Sequence, residues 1–379
     1  MKFTNQKWLD PSRHITHIHV AEDVLSLEYT QKILARAGLP VRVVPRNQTP
    51  LGLNDDYCRA ITQGKQHLFL CNNRGSFFKP CPGTAEYNCC GYQVLNIGMN
   101  CPIDCSYCIL QAYLNQPWIT AFVNLEQLFD ELRNTIEQQP QHFFRIGTGE
   151  FTDSLALERL TGISEMLVEF LGRYDNVILE LKTKSGAIDT LETIDHKGKT
   201  ILSWSLNSPA MMRRQEIRSA TLKQRLDCAA RAAEWGYHLA FHFDPIIYQP
   251  DWQDQYLQTI ELLFNSVPKE AIVWISMGGL RFLQPLKAIG TQRFPQTGIF
   301  YEEFITGLDG KSRYFRGLRQ EMYSFIYAQL KQRTHKDTCV YFCMESEEIW
   351  DAVCGYTPDT QGGLSEMLDT AGRTAIAKY

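Results

Sequence analysis

The chain has 379 residues, of which 44% are hydrophobic and 21% charged, a mixture typical of globular proteins with a large buried core. The formal net charge of −4 gives no overall attraction for nucleic acid, so such a partner would need a local basic patch. The sequence contains no run of about 18 apolar residues, which argues against a membrane-spanning helix. It begins without an apolar signal segment and has 12 cysteines, so we expect a cytoplasmic protein in a reducing compartment.

The first part of the chain predicts a small β-α-β unit. HITHIHV (14–20) and VRVVP (41–45) have strand patterns, and the helical stretch between them ends at Gly38, a residue suited to a helix C-terminus. Residues 47–91 are irregular and rich in Gly, Pro, Asn and Cys. We therefore predict a first domain over residues 1–91 that combines this unit with a cysteine-rich loop.

Six short apolar runs follow, and stretches with helical periodicity separate them. The runs are YQVLNIG (92–98), HFFRIGT (142–148), NVILELKTK (176–184), TILSWSLN (200–207), HLAFHFDPII (238–247) and AIVWISMGG (271–279). Strands that alternate with helices predict parallel β/α units, and six units are two short of a closed barrel. The predicted fold is α/β, a partial (β/α)6 TIM-type barrel over residues 92–310, with a C-terminal extension over residues 311–379.

Polar and reactive residues follow the predicted strands at their carboxyl ends, where barrels of this class place their active sites. They are Cys101, Cys105 and Cys108 after the first strand, Gly147, Thr148, Gly149 and Glu150 after the second, Lys182 and Lys184 at the end of the third, Ser205 and Asn207 at the end of the fourth, and His242 and Asp244 in the fifth. Five such groups at one edge of a barrel favour an active site there.

The three cysteines have the spacing C-x3-C-x2-C. Three thiolates can hold three irons of a cubic [4Fe–4S] cluster and leave the fourth iron open to an outside ligand, whereas electron-transfer clusters normally have four cysteines. Zinc sites usually pair C-x2-C with a second, distant pair, so zinc is one alternative and cysteines packed as small apolar residues are the other. We favour the cluster.

The triplet after the first strand of a partial barrel resembles the radical S-adenosylmethionine (SAM) superfamily, including the aromatic Tyr107 before the third cysteine. The resemblance implies that the open iron binds SAM and that one electron, from a donor of flavodoxin or ferredoxin type, cleaves SAM to a 5′-deoxyadenosyl radical. That radical takes a hydrogen atom from a substrate. GTGE (147–150) resembles a glycine-rich motif of the superfamily, in which Glu150 would accept a hydrogen bond from the SAM ammonium group. The alternative is an ordinary turn capped by Thr152 or Asp153.

Further segments are similar in order and spacing to the spore photoproduct lyase family over roughly residues 15–350. They are CSYCILQAYL, LALERLTG, LKTK, SWSLNS, DPIIYQPDW and LRFLQP. The resemblance implies that Lys184 pairs with the SAM carboxylate and that Ser205 and Asn207 bond its polar groups. A solvent-facing lysine is the alternative for Lys184.

The family's lyases repair a thymine dimer of spore DNA, in which a cysteine returns a hydrogen atom to the product radical and a tyrosine assists. Alignment through LALERLTG and Asp153 places Glu150 at the position of that cysteine and Ile109 at the position of that tyrosine. Neither side chain has a weak X–H bond. We therefore expect a radical SAM enzyme with an altered donor or chemistry that acts on a nucleic acid or nucleobase. The alternatives are a peptide or small-molecule substrate and a non-catalytic Fe–S module that binds nucleic acid.

Cysteines outside the triplet are further candidates. Cys81, Cys89, Cys90 and Cys343 are candidates for a second Fe–S cluster or for the replacement hydrogen donor, and buried structural thiols are the alternative. Tyr107, His242 and Asp244 are candidate catalytic residues. His242 and Asp244 are equally consistent with a hydrogen-bonded pair that closes the barrel.

One segment near residue 311 suits a nucleic-acid substrate because it combines cations with aromatic rings. KSRYFRGLR offers Lys311, Arg313, Tyr314, Arg316 and Arg319, and the family lyases place a DNA-probing hairpin at this point. The alternative is a solvated helix start. Arg281, after the sixth strand, is a further candidate for binding a substrate anion.

Overall fold

We describe a computed structural model of the chain, which covers residues 8–46, 48–51, 56–83 and 86–379. Its strands are β1 (His17–Ala21), β2 (Val41–Val44), β3 (His67–Cys71), β4 (Phe78–Pro80), β5 (Gln93–Leu95), β6 (Gly98–Met99), β7 (Asp104–Cys105), β8 (Ile119–Phe122), β9 (Phe144–Gly147), β10 (Val177–Thr183), β11 (Thr200–Ser205), β12 (Glu216–Ile217), β13 (His238–Ile246), β14 (Ile272–Gly279), β15 (Arg281–Phe282), β16 (Phe304–Thr306), β17 (Ser312–Tyr314) and β18 (Cys339–Phe342). Its helices are α1 (Glu28–Ala37), α2 (Tyr57–Gly64), α3 (Leu110–Tyr113), α4 (Leu125–Gln138), α5 (Glu158–Thr161), α6 (Ile163–Leu171), α7 (Pro209–Gln215), α8 (Leu222–Glu234), α9 (Trp252–Ser266), α10 (Gln284–Arg293), α11 (Arg316–Lys331), α12 (Glu347–Cys354) and α13 (Leu364–Ala377).

The N-terminal part forms a five-stranded sheet in the order β2-β1-β3-β8-β6. β2, β1, β3 and β8 are parallel, and β6 is antiparallel to β8. The predicted β-α-β unit is confirmed by β1, α1 and β2, and Gly38 caps α1 with a left-handed φ of 58°. Because β6 and β8 come from beyond residue 91, the predicted boundary at that residue cuts through this sheet and needs correction.

The larger sheet has eight strands in the order β18-β14-β13-β11-β10-β9-β5-β4. Seven of these strands are parallel to their neighbours: β18, β14, β13, β11, β10, β9 and β5. The eighth strand, β4, pairs antiparallel with β5 at one edge of the sheet. The order runs from β18 to β4 without joining these two ends, so among the described residues the barrel is open. All six predicted strands contribute to this sheet, which confirms the partial barrel. The first run is divided, because β5 joins the barrel and β6 joins the N-terminal sheet.

A seventh parallel strand, β18, extends the barrel beside β14. It lies within the predicted C-terminal extension, so the boundary at residue 310 also needs correction. Residues after 310 complete the barrel sheet. Phe342 shows how: it is fully buried, and its ring packs against Tyr323 of α11 and Trp350 of α12.

Two apolar clusters form the interior. The larger one lies around the barrel strands and their helices and includes the fully buried Trp204, Trp274 and Trp350. The smaller one lies beneath the N-terminal sheet. A separate small antiparallel sheet, β15-β17-β16, stands beside the carboxyl end of β14. None of the helices in the described ranges has the length and apolar character needed to cross a bilayer.

Replacement of Phe342 tests whether β18 is part of the barrel. We expect Phe342→Ala to lower the free energy of unfolding by about 3–5 kcal/mol, because it removes a buried ring and leaves a cavity. Urea denaturation monitored by circular dichroism measures this. Phe315→Ala is the matched control, since Phe315 is 44% exposed and its loss should change stability by about 0.5 kcal/mol or less. Equal losses of unfolding free energy in Phe342→Ala and Phe315→Ala would contradict the assignment of β18 to the barrel core.

Candidate active site

The cysteine triplet lies on the loop between β6 and β8, both of which belong to the N-terminal sheet. The short strand β7, which contains Cys105, pairs antiparallel with β12 from the barrel side. Cys101 and Cys105 are buried and Cys108 is half-buried. The loop is therefore bound to both sheets and occupies the junction between them.

A buried lysine organises the backbone of this loop. The Lys65 ammonium group, whose side chain is 1% exposed, donates hydrogen bonds to the carbonyl oxygens of Cys101 and Ile103, both at 2.9 Å, and to Asn100 Oδ1 at 3.2 Å. Asn100 has a left-handed φ of 65°, and its Oδ1 also accepts from the Cys101 N–H at 3.0 Å. Because a buried ammonium group must keep its acceptors, this lysine fixes the path of the loop.

The donor set fits an iron–sulfur cluster. Burial raises the pKa of Cys101 to about 12, with a contribution from the neighbouring Cys108. Burial likewise raises the pKa of Cys105, with contributions from Glu216, Cys108 and Cys101. The three cysteines lie within eight residues of one loop. Thiols of this kind lose their protons when they bind metal. In the part of the chain that is described, no three Cys, His, Asp or Glu side chains already converge on a common metal position, and the triplet fits through its donor atoms and their closeness.

Lys184, just after β10, lies beside the triplet. Its Nζ is 5.9 Å from the centre of the Tyr107 ring, and its positive charge lowers the pKa values of Cys105 and Glu216 against the opposing effect of burial. The Tyr107 hydroxyl donates to Glu216, which also forms a buried ion pair with Arg225. Tyr107 therefore has a structural partner, and Lys184 supplies a cation next to the cysteine loop.

Ser205 and Asn207 lie at the end of β11, as predicted, and both are buried. The Asn207 side chain is already bonded on both sides: its Nδ2 donates to the Pro245 carbonyl oxygen at 2.8 Å, and its Oδ1 accepts from the Tyr256 hydroxyl at 2.8 Å. The Ser205 carbonyl oxygen accepts from Arg225 at 2.6 Å. The polar groups of Asn207 are thus engaged in holding the loops after β11 and β13 together.

The segment GTGE follows β9, and its glycines allow close contacts. A Cβ atom on Gly147 would lie 1.4 Å from the Tyr92 hydroxyl, and one on Gly149 would lie 3.1 Å from Lys182 Cβ. Thr148 is buried and donates to Ser154 Oγ at 2.7 Å. The Asp153 carboxylate accepts hydrogen bonds from the backbone N–H groups of residues 155 and 156, as expected for a residue that caps a turn. It also accepts a hydrogen bond from the backbone N–H of Lys184, which holds the start of that loop in place.

The sequence profile described as spore photoproduct lyase matches residues 54–346, well over half of the chain. The chain belongs to the spore photoproduct lyase family. It is a radical SAM enzyme by that membership, and the three cysteines of the motif lie within the matched residues.

Similar proteins support this membership. The spore photoproduct lyase of Geobacillus sp. (strain Y412MC61) is 26% identical over 258 residues, which cover 67% of this chain and 72% of the relative. That of Bacillus subtilis (strain 168) is 26% identical over 230 residues, which cover 60% of this chain and 65% of the relative. A solved spore photoproduct lyase complexed with dinucleoside spore photoproduct has a TM-score of 0.76 at 22% identity, with 86% of this chain and 98% of that chain covered. A mutant with bound AdoMet and the same dinucleoside has a TM-score of 0.77 at 22% identity, with 88% and 99% covered. These likenesses establish the fold.

Inside the barrel, this member of the spore photoproduct lyase family has a polar pocket at the carboxyl ends of the strands. Its lining includes Glu150, Lys182, His242, Asp244 and Cys343. The carboxylates of Glu150 and Asp244 raise the pKa of Lys182 although burial opposes its charge, so Lys182 is an ammonium group in the pocket. GTGE thereby places Glu150 on the pocket wall opposite a cation.

The two candidate catalytic residues of β13 do not bond each other. His242 Nε2 lies 2.7 Å from Glu180 Oε1, and its Nδ1 lies 2.6 Å from Ser276 Oγ. Burial and the charge of Lys182 lower the pKa of His242, so the imidazole is neutral at pH 7. Asp244 instead pairs with Arg281 at 3.0 Å, which means that Arg281 already has an internal carboxylate partner.

Four cysteines outside the triplet meet at this pocket: Cys81, Cys89, Cys90 and Cys343. A hydrogen bond from Cys90 lowers the pKa of the Cys89 thiol below its ordinary value. Burial raises the pKa of Cys343 to about 12 and that of Cys81 to about 11, so both keep their S–H bonds. The structure thus brings the predicted group together, and the pKa of Cys89 is shifted in the opposite direction to those of Cys81 and Cys343.

The basic segment is mostly internal. Arg313 is buried and pairs with Asp309 at 2.8 Å, and Arg319 is buried and pairs with Glu345 at 3.2 Å. The Tyr314 ring is fully buried, and its hydroxyl accepts from the Tyr248 N–H. Their prediction as surface contacts for nucleic acid needs correction, because these side chains close the core beneath β17 and α11. Lys311 is half-buried beside Asp309, and Arg316 is exposed.

Sequence reasoning missed the charged residues that organise the cysteine loop. Lys65, Glu216 and Arg293 bond this loop or Tyr107 within it from positions far away in the chain, and Arg225 pairs with Glu216. The one available signal was Asp104, a charged residue between two predicted cluster ligands. Its presence called for a cationic partner, although nothing in the spacing identified which residue that is.

Replacement of Tyr107 separates its structural role from a catalytic one. We expect Tyr107→Phe to lower the free energy of unfolding by about 1–3 kcal/mol, because buried Glu216 loses a hydrogen-bond donor, while SAM cleavage changes little. Denaturation and formation of 5′-deoxyadenosine measure the two effects. Tyr113→Phe is the control, since Tyr113 is 57% exposed. Unchanged stability with abolished SAM cleavage would instead make Tyr107 catalytic.

Proposed function

We propose that this protein cleaves SAM reductively and uses the resulting radical on a damaged pyrimidine base in nucleic acid. The carrying observation is the cysteine triplet with Lys184 beside it, in a member of a family whose named relatives are spore photoproduct lyases. When bound, the cluster and SAM supply one-electron cleavage to the 5′-deoxyadenosyl radical. The polar pocket inside the barrel is the place for the substrate.

Different residues of the chain would bind the cluster and SAM. Cys101, Cys105 and Cys108 would hold the cluster through their sulfur atoms. Lys184 would bind the SAM carboxylate, because it is a cation beside the triplet that has no carboxylate partner among the ion pairs of the described residues. Ser205 would bond a polar group of SAM through its hydroxyl. Asn207 would act indirectly, since its amide is committed to Pro245 and Tyr256.

Glu150 is proposed to face the substrate. It lines the barrel pocket together with Lys182, and the two opposite charges have no hydrogen bond or ion pair to each other in the described residues. A base that presents adjacent donor and acceptor groups would complement them, as a pyrimidine does. A role for Glu150 with the SAM ammonium group remains the alternative that the glycine-rich motif implies.

The function is tested with the full chain, purified and reconstituted without oxygen. It is mixed with SAM and dithionite, with or without dinucleoside spore photoproduct, the compound present in the solved relatives. We expect 5′-deoxyadenosine that increases with the dinucleoside, together with thymidine release or a changed dinucleoside. Cleavage of SAM that does not respond to the dinucleoside would favour a peptide or small-molecule substrate. A fully iron-loaded protein that does not cleave SAM would be a binding module.

Loss of a single cluster ligand should abolish the reaction. We expect Cys101→Ala to lower SAM cleavage by at least about a thousandfold, because the barrier rises by roughly 4 kcal/mol or more once the cluster is no longer held correctly. The assay is 5′-deoxyadenosine formation, with iron content measured on the same sample. Cys228→Ala is the matched control, since Cys228 is a buried cysteine of α8 outside the site. Wild-type turnover in Cys101→Ala would refute the assignment.

We propose Cys343 as the hydrogen donor that replaces the cysteine of the related lyases. It directly follows β18, at the same end of the barrel as Glu150, and lines the same pocket. Its N–H bonds the Met277 carbonyl oxygen at 2.8 Å, which holds the residue on the rigid sheet, whereas Cys81, Cys89 and Cys90 lie on the irregular segment before β5. A second cluster on these four cysteines is the alternative.

The donation balances without any other oxidant. The S–H bond of Cys343 breaks, a C–H bond forms on the substrate radical, and the unpaired electron moves to sulfur. Return of the thiyl to a thiol takes one electron and one proton, which the electron donor and solvent supply. Cys343 is suited to this step because burial keeps its pKa high and its proton in place.

Isotope transfer tests the donor. A thiol exchanges its proton in D2O, so we expect wild-type product to gain one deuterium and Cys343→Ala to lose that label while it still forms 5′-deoxyadenosine. Mass spectrometry of the product measures the label. Cys71→Ala is the control, since Cys71 is a partly buried cysteine of β3. Full labelling in Cys343→Ala would assign the donor to another thiol of the pocket.

A nucleic-acid face is proposed at the β16–β17 hairpin. Leu308 at its turn is 76% exposed and Ile305 is 47% exposed, and Phe315 and Arg316 are exposed immediately after β17. Apolar side chains next to a cation suit insertion between bases and contact with phosphate. Salt-dependent DNA binding that weakens in Leu308→Ser and Arg316→Gln would support this face, and unaltered binding would favour the peptide or small-molecule alternative.

A further inference from the structure

A group of three cations surrounds the carboxylate of Asp104, between the first two cysteines of the triplet. Arg293 forms a two-point pair with it at 3.1 and 2.9 Å, Arg218 Nη2 lies at 3.4 Å, and Lys65 Nζ lies at 3.6 Å. The carboxylate is 8% exposed. Lys65, Arg218 and Arg293 come from three separate parts of the chain and are called the loop cations below.

Two of the loop cations also bond the backbone of the cysteine loop. Lys65 donates to the carbonyl oxygens of Cys101 and Ile103, and Arg218 Nε donates to that of Pro102 at 2.7 Å. Three consecutive carbonyl oxygens between the cluster ligands therefore point to fixed positive charges. The backbone of the loop is therefore oriented with these carbonyl oxygens toward the cations, which stabilise them through hydrogen bonds.

The charges in this group do not balance. Within the described part of the chain, Asp104 is the only carboxylate that pairs with any of the loop cations. Three cations against one carboxylate leave an excess of two positive charges in a largely buried region. Burying uncompensated charge is costly, so this excess favours a negatively charged partner at the same place.

A cluster held by three thiolates is such a partner. The three thiolates outweigh the positive charge of the iron–sulfur core, and one-electron reduction makes the site more negative still. Nearby net charge is one of the factors that set the reduction potential of an iron–sulfur centre. A fixed positive excess stabilises the reduced form more than the oxidised form, because the attraction grows with the charge on the cluster.

We propose that the loop cations are positioning residues that hold the cysteine loop in its cluster-binding form and raise the reduction potential of the cluster. This inference rests on the cluster of the proposed function. Asp104 has two roles in this proposal. Its carboxylate reduces the excess of positive charge, and it holds the three loop cations in position around the cysteine loop.

Arg218 is the position for the test because its side chain is 25% exposed and can be changed with least damage to the core. The full chain is reconstituted without oxygen, and the potential is measured by EPR-monitored redox titration without SAM or substrate. We expect Arg218→Gln to make the reduced form about tenfold less favoured, a potential lower by about 59 mV for one electron. Arg218→Lys, which keeps the charge, should retain the wild-type potential.

Asp104→Asn gives the opposite expectation. It removes a negative charge, so the potential should rise where Arg218→Gln lowers it. A role in packing alone does not reverse sign with charge. Arg133→Gln is the control for net charge, since Arg133 lies on the exposed side of α4 and pairs with Asp130.

Iron content separates this inference from the proposed function. Wild-type protein that binds no cluster would overturn the proposed function itself. Wild-type protein that carries the cluster, with Arg218→Gln and Arg218→Lys at the same potential, would overturn the electrostatic role alone. Lys65→Met is expected to lose most of its iron because three acceptors of the loop lose their donor, and full iron retention there would overturn the positioning role.

Discussion

The fold and the site both depend on the ammonium group of Lys65. A buried lysine keeps its charge only if acceptors surround it, and this one has two carbonyl oxygens of the cysteine loop, the side chain of Asn100 and the carboxylate of Asp104. Because Lys65 directly follows α2, this requirement ties the N-terminal unit to the loop. The loop in turn pairs with β12, so the two sheets hold a common position around the cysteines.

The strands that the sequence made predictable are those with their own apolar pattern. Residues 176–184 and 271–279 are long enough to specify strands locally, and β10 and β14 confirm them. β8 and β18 were missed because each is defined by its neighbours in the sheet. Domain boundaries failed for the same reason, since pairing between distant segments carries both sheets across them.

Within the site, the position of the cysteines on one loop was predictable and their electrostatic surroundings were not. The spacing of Cys101, Cys105 and Cys108 specifies a cluster motif by itself, whereas the partners of Asp104 come from residues 65, 218 and 293. The basic segment shows the converse error. Arg313 and Arg319 resemble surface cations in the sequence, yet Asp309 and Glu345 neutralise them in the interior. A charged residue reveals its role only with its partner, and that partner is set by tertiary structure.

In the proposed function, the barrel allows the reaction to keep its radical source and change its hydrogen donor. Residues on or directly after β9, β10, β13, β14 and β18 line one pocket, so a thiol after β18 reaches the same space as a side chain after β9. In the proposed function, Glu150 takes the place of the donor cysteine of the related lyases, and Cys343, which lines the same pocket, keeps its proton because burial raises its pKa. Loss of a donor at one strand end therefore does not require loss of hydrogen return. It does alter the direction from which hydrogen reaches the substrate, so the face of the product radical that receives it should differ as well.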